Sequence, residues 1–215
     1  MSENISIDVI QTEQSSRTER RDAAENRARI LEAARRLFDE HGVAQVNMAD
    51  IALAAKVGKG TLYRRFANKG ELCYALMDEH LAGFQDEMIA RMQQMTQADM
   101  PKLQQLSVFL NALVLFTEAH VPLLCEVQQI RLLADSQNLE LPHFWQYMTV
   151  HSLLQAAETA GEFSPGLDLA LLADILLAPL SADFYRFMRQ IKDYSPEQIG
   201  AGLQNVVRGL SGGEK

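Results

Sequence analysis

Residues 47–72, NMADIALAAKVGKGTLYRRFANKGEL, constrain the fold more than any other stretch. Asn47 is a good N-cap, and Asp50 stands three residues on, where a capping-box acid belongs. Ile51, Ala52 and Ala55 give the helix that starts there a short apolar face, small enough for a second helix to cross closely. Val57 is the apolar plug expected inside the turn that follows. Gly58 and Gly60 bracket Lys59 at the entry to a second helix, about Lys59 to Phe66. Its Leu62 and Phe66, spaced i and i+4, point inward, which leaves Lys59, Thr61, Tyr63, Arg64 and Arg65 outside. Asn68 and Glu71 form a second capping-box-like pair and start another helix at Lys69.

Two short helices about a tight turn make a helix-turn-helix pattern. An outer face of Arg, Lys, Thr and Tyr supplies what phosphate oxygens and major-groove base edges require. The run IA-x-x-A-x-V-x-x-GT-L-Y-x-x-F-x-x-K-x-x-L resembles the DNA-binding domain of the tetracycline-repressor (TetR) family of bacterial transcriptional regulators. The match runs from Ile30, in RILEAARRLFDEHG, to about Leu76. Three positions depart from the family pattern. Lys56 stands where the family usually has Gly, Gly58 where Ser is common, and Asn47 where Thr is usual, an equivalent cap. A non-glycine residue in a left-handed turn costs on the order of 1 kcal/mol, and Gly58 is placed to take up part of that demand.

Net charge of −8 over 215 residues argues at first against a nucleic-acid partner. Its distribution reverses that. Residues 17–69 carry 12 Lys and Arg against 7 Asp and Glu, and residues 70–215 carry 8 against 18. A basic front on an acidic body fits a DNA-binding head that docks end-on. The two cysteines, Cys73 and Cys125, have neither a disulfide framework's spacing nor a metal site's, which fits a reducing, cytoplasmic setting. No signal peptide is read at the N-terminus, and no uninterrupted apolar run reaches the ~18 residues of a membrane span, so no membrane partner is expected.

Residues 1–22 are polar and aperiodic and read as a disordered arm. Its Arg17, Arg20 and Arg21 are either a solvated helix approach or an arm that contacts DNA. Residues 23–70 form the head and 71–215 the body. The first helix spans about Ala24 to His41, with Ile30, Leu31, Ala34, Leu37 and Phe38 as its stripe and Gly42 as its stop. The fourth, Lys69 to about Met95, carries Met77, Leu81, Phe84, Met88, Met92 and Met95 inward. A buried central helix, apolar all round, follows over about Pro101 to His120. Val121-Pro122 ends it and starts another, to about Asp135. After a polar loop, Ser136 to Leu141, come helices at Pro142–Ala160, at Leu167–Lys192 with a kink at Pro179, and at Pro196–Gly209 capped by Ser195. The reading is all-α, about nine helices, a count the resemblance also implies.

Competing chemistries fail on spacing. Gly58-Lys59-Gly60-Thr61 lacks the preceding strand and the spacing of a phosphate loop. Glu140 and His143 form a lone Glu-x-x-His pair interrupted by Pro142. No nucleophile–base pair stands out, so no enzyme, cofactor or metal is expected. The body reads instead as a sensor with an apolar pocket and a few polar groups. Its candidates are Phe109, Asn111, Phe116, Cys125, Gln128, Arg131, Trp145, Tyr147, Met148, His151 and Phe184, for each of which plain core or surface packing is the favoured reading. Arg131 is a possible anion anchor, and Cys125 reads as an inert thiol because no basic cluster adjoins it.

Together these features point to a ligand-responsive transcriptional regulator, a repressor on a palindromic double-stranded DNA operator. Thr61, Arg64 and Arg65 are its base-or-phosphate candidates, Tyr63, Asn47 and Lys69 its phosphate candidates, and Gly60 permits close approach of the backbone. The resemblance implies a homodimer through the last two helices and a small-molecule effector. A helical protein–protein interaction module, or a small-molecule enzyme on the same fold, is the alternative that salt-dependent DNA affinity would exclude.

Overall fold

The computed structural model describes residues 4–133 and 142–211, with side chains over 21–128 and 144–211. The polar loop at Ser136 to Leu141 and the side chains of Arg17, Arg20, Arg131, Glu140 and His143 lie outside that description. Nine α-helices and two short 3-10 turns are described, and no strand is found among the described residues. The chain separates into two compact units, Met1–Leu76 and Met77–Lys215.

The first unit holds α1 (Asn4–His41), α2 (Met48–Ala54), α3 (Lys59–Arg65) and the start of α4 (Lys69–Gln97). Helix α1 begins at Asn4, well before the point where apolar periodicity starts at Ala24. Nothing in Asn4–His41 breaks a helix, since it contains neither Gly nor Pro. Ile30, Leu31, Ala34 and Phe38 of α1 are buried with Ile51 and Ala52 of α2, Leu62 of α3, Phe66 and Leu72. Asn47 caps α2 as the sequence predicts: its Oδ1 accepts the Ala49 and Asp50 amides at 2.8 and 3.0 Å. The Asp50 carboxylate accepts the Asn47 amide at 3.1 Å, which completes the capping box. At α4, Asn68 Oδ1 accepts the Glu71 amide at 2.9 Å, and the Glu71 carboxylate accepts the Ala67 amide at 2.8 Å.

Helix α2 ends in a Schellman turn: the Val57 amide bonds the Ala52 carbonyl at 3.0 Å and the Lys56 amide bonds Leu53 at 3.1 Å. That turn requires a left-handed residue, and Lys56 supplies it at φ 54°. Gly58 does not share the demand, contrary to expectation, because it is extended at φ −67°. Val57, expected inside the turn, is half-buried. Lys56→Gly should therefore stabilise the protein by up to about 1 kcal/mol, the left-handed penalty less glycine's added chain entropy. The check is a higher urea midpoint with an unchanged slope.

The second unit is built on α5 (Lys102–Leu133), against which α6 (Pro142–Thr159), α8 (Ala182–Gln190) and α9 (Pro196–Ser211) pack, with α7 (Leu169–Leu177) on α6. Its core joins Leu106, Phe109, Leu110 and Leu113 of α5 to Leu154, Leu176, Tyr185 and Leu203. By length and composition Lys102–Gln128 could cross a membrane, at mean hydropathy 1.7, a possibility the run-length reading missed. Here it is the helix on which the core is assembled, though Leu115 stays exposed and α5 is not buried all round.

Two prolines behave in ways the sequence reading did not expect. Pro122 lies inside α5 and does not end it, whereas Pro179 does more than kink: it sits in a 3-10 turn, Ala178–Leu180, that separates α7 from α8. The total of nine survives because one expected break is lost and another is gained.

The far end of α5 is capped from a distance. Helix α6 ends in a second Schellman turn with Gly161 at φ 71°, its Glu162 amide bonding Ala157 at 3.0 Å. The turn aims the Glu162 carboxylate at the Lys102 and Leu103 amides, at 2.6 and 2.8 Å. A carboxylate on first-turn amides satisfies orphan donors and complements the helix dipole. Midway along α5, Arg189 of α8 grips Glu118 with two bonds, 2.9 and 3.0 Å, and donates to the Tyr194 carbonyl at 2.7 Å.

The Arg189 hydrogen bond holds the Glu118 carboxyl below its ordinary value, against the opposing effect of burial. A depressed carboxylate stabilises the fold above its unfolded pKa, and that contribution is lost as pH falls through the folded one. Glu118→Gln should therefore lower the urea midpoint at pH 7, and the gap to the parent protein should narrow as pH drops below the ordinary carboxylate range. A gap constant down to pH 3 would show that packing, not charge, is responsible.

Candidate functional site

The stretch from Ile51 to Gly70 holds five cations, Lys56, Lys59, Arg64, Arg65 and Lys69, and no carboxylate. Helix α3 presents most of them. With Leu62 and Phe66 buried, Arg64, two residues from each, falls on the opposite face. Lys59, Gly60, Tyr63 and Arg64 are exposed, and Thr61 and Lys69 are half-buried. Arg64 has no hydrogen-bond or ion-pair partner among the described residues.

Two of the expected contacts are partly committed elsewhere. The Arg65 guanidinium donates to the Ala23 carbonyl of α1 at 3.1 Å, so it braces α3 against α1 while remaining exposed. The side-chain oxygen of Asn47 is occupied by its cap, which leaves only the amide nitrogen for a phosphate. Lys56, exposed in the turn, was treated in the sequence only as a departure, yet it adds a fifth cation to this face. A face of this kind can neutralise phosphates with Lys and present one guanidinium fork to a base edge.

The second unit contains a cavity of about 820 Å³ lined from α4, α5 and α9. His80 meets His120, Phe84 meets Phe116 and Thr96 meets Gln105, so α4 and α5 run antiparallel. One end of the cavity is apolar, with Phe84, Ala112, Leu115 and Phe116; toward the other stand Gln104, Ser107, Glu162, Gln204 and Arg208. Arg91 and Arg208 enter from α4 and α9, and neither has a partner among the described residues. Asn111, the one polar residue in VFLNALVLF, also faces the cavity. Helix α9 comes close to it because residue 200 is glycine: a Cβ there would lie 2.9 Å from Asn111 Oδ1.

Of the sequence's pocket candidates among the described residues, Asn111 and Phe116 line this cavity. Trp145 and Met148 border a second, shallower hollow of about 650 Å³ between α4, α5 and α6. Phe109 is fully buried, with Trp145 edge-on at 5.5 Å. Tyr147 and His151 stack on each other at 5.8 Å, and Gln128 donates to Asp183 at 2.7 Å. Phe184 is a surface residue stacked on Phe187. Cys125 is half-buried, and burial pushes its thiol up, away from thiolate chemistry. The cavity residues the sequence missed, Arg91, Gln204 and Arg208, are polar positions on amphipathic helices. The spacing of Gln204, Arg208 and Ser211, i, i+4 and i+7 on α9, was the available signal.

Comparison with known proteins adds three findings. The model of the bacterial regulatory proteins, tetR family, matches residues 30–76. The HTH-type transcriptional regulator SAR2658 of Staphylococcus aureus (strain MRSA252) is 39% identical over 187 residues, covering 87% of this chain and 95% of its own. Among solved structures, the fatty acid degradation regulator FadR from Bacillus halodurans superposes with a TM-score of 0.61 at 23% identity, covering 84% of this chain and 93% of its own. Thermus thermophilus FadR, a transcriptional repressor solved in complex with lauroyl-CoA, gives 0.61 at 17% identity, covering 85% and 93%. At these identities the structural likeness speaks for the fold alone.

Proposed function

Because the chain belongs to the tetR family of bacterial transcriptional regulators, we propose that it is a repressor that binds a palindromic operator as a homodimer and is released by a small molecule. The observation that carries this reading is the outer face of α3, where Lys59 and Arg65 flank Arg64, which has no partner among the described residues. One short helix covers only a few base pairs, so two-fold pairing is what reaches useful specificity. Helix α8 offers Phe184, Phe187 and Ile191 to solvent at i, i+3 and i+7, which supports pairing through the α8–α9 side.

The cavity bounded by α4, α5 and α9 is the effector site in this reading. An apolar end opposite a polar end that carries Arg208 suits an amphipathic molecule with an anionic or strongly hydrogen-bonding head. For release, the effector must prefer the conformation with the lower operator affinity. A coupling of about 1–3 kcal/mol gives about 5–150-fold.

The test is selection of bound DNA from a random pool at near-physiological salt. An enriched palindrome with half-sites about one helical turn apart is the expected result. A folded, dimeric protein that enriches nothing, with or without cell extract, would overturn the reading in favour of a protein-interaction module.

A further inference from the structure

The second unit brings two histidines together outside the cavity. His80 of α4 and His120 of α5 point ring nitrogens at each other, Nδ1 to Nε2, at 2.8 Å. The other nitrogen of His120, Nδ1, donates to the Phe116 carbonyl at 2.7 Å, which fixes the tautomer and leaves its Nε2 as a lone pair. Outer-shell bonds of this type orient metal-ligating histidines. His80 is exposed and His120 half-buried, so an ion has both an approach from solvent and a fixed anchor.

We infer that His80 and His120 form a binding site for one nitrogen-seeking divalent transition ion of the Ni²⁺ or Cu²⁺ class, which would tie α4 to α5. The imidazole donors select the class. With metal–nitrogen bonds of about 2.0–2.1 Å, neighbouring ligands lie about 2.9 Å apart at a right angle and about 3.3 Å apart at the tetrahedral angle. The observed 2.8 Å is a hydrogen-bond length and lies close to the right-angle spacing, so the two nitrogens need little separation to share an ion. Among the described residues no third His, Cys, Asp or Glu joins the pair, so water fills the remaining positions. The protons balance: in the neutral pair the bridging proton sits on His80 Nδ1, and binding moves it to His80 Nε2 without net release.

The pair adjoins the cavity. Phe116 stacks on His120 at 4.2 Å and packs tilted against Phe84 at 4.7 Å, and both phenylalanines line the cavity. Occupancy of the ion site and of the cavity should therefore affect each other's affinity by the same factor.

The experiment is calorimetric titration of the untagged, EDTA-stripped full-length protein with NiCl₂ at pH 7.5. The expected result is one ion per chain in the micromolar range, weakened at least tenfold in His80→Gln and in His120→Gln and unchanged in His41→Gln. Copper paramagnetic resonance of the unaltered protein provides a second measurement, with two coupled nitrogens expected there and one in each pair variant. Absence of nickel binding, equal binding in the pair variants, or fewer than two nitrogens in the copper spectrum would overturn the proposal and leave a plain interhelical hydrogen bond.

Discussion

Arg64→Ala should reduce affinity for the selected operator by about 10–100-fold while changing affinity for random DNA much less. The difference follows from geometry. Arg64 stands opposite the buried Leu62 and Phe66, and no described residue holds its guanidinium. A bidentate contact to a base edge is worth about 1–3 kcal/mol of discrimination. Losing it should relax preference at one base pair of each half-site. Lys59→Ala should behave differently, weakening all sequences alike and lowering the salt slope by about 1, as loss of a phosphate contact does. Arg65→Ala should do something else again, because it frees α3 from the Ala23 carbonyl and so loosens the position of the whole helix. Arg64→Glu is the harsher form of the test and should abolish specific binding. The check is fluorescence anisotropy on operator and scrambled duplexes at several salt concentrations. Equal losses on both duplexes for Arg64→Ala would remove it from base readout.

What the sequence made legible was local. Asn47 with Asp50 closes as the spacing predicts, and Ser195 caps its helix as expected, with Gln198 as a reciprocal partner that the sequence reading did not name. The prolines show where local reading stops. Both lack an amide donor, so both cost a helix one bond. Pro179 is followed by Ser181, whose carbonyl accepts the Tyr185 amide at 2.8 Å and whose hydroxyl donates to Ala178 at 3.0 Å, so a new helix can start there. Pro122 is followed by Leu, Leu, Cys, Glu and Val, none of them a cap, and the helix continues under the packing of its neighbours. The cavity was less legible because it draws Arg91, Asn111 and Arg208 from three helices far apart in sequence. Aromatic character was a poor guide to it: Phe109 went to the core and Phe184 to the surface. Lys56 sits between these cases. Its left-handed turn was anticipated from the family pattern, but that the neighbouring Gly58 would not relieve it depended on how the Schellman turn closes.

The largest effect is expected from charging the outer face of α8. In the double variant Phe187→Asp, Ile191→Asp the dimer dissociation constant should rise by about two to five decades. Both side chains are exposed, Ile191 at 70%, while Ala182 and Tyr185 on the same helix face the core, so the fold itself should survive the change. Pairing about a two-fold axis uses each residue twice. Four side chains withdrawn from an apolar interface, at about 1.5–3 kcal/mol for full burial scaled by the 40% and 70% each still exposes, amount to about 3–7 kcal/mol, or roughly two to five decades. The desolvation cost of the new carboxylates acts in the same direction. Analytical ultracentrifugation would report the association state, with circular dichroism confirming an unchanged helix content. The variant should then bind a single half-site duplex as weakly as the parent protein does and lose the advantage of the full palindrome. A variant that remains dimeric at nanomolar concentration would place the two-fold contact elsewhere, and the α8 face would need a different occupant.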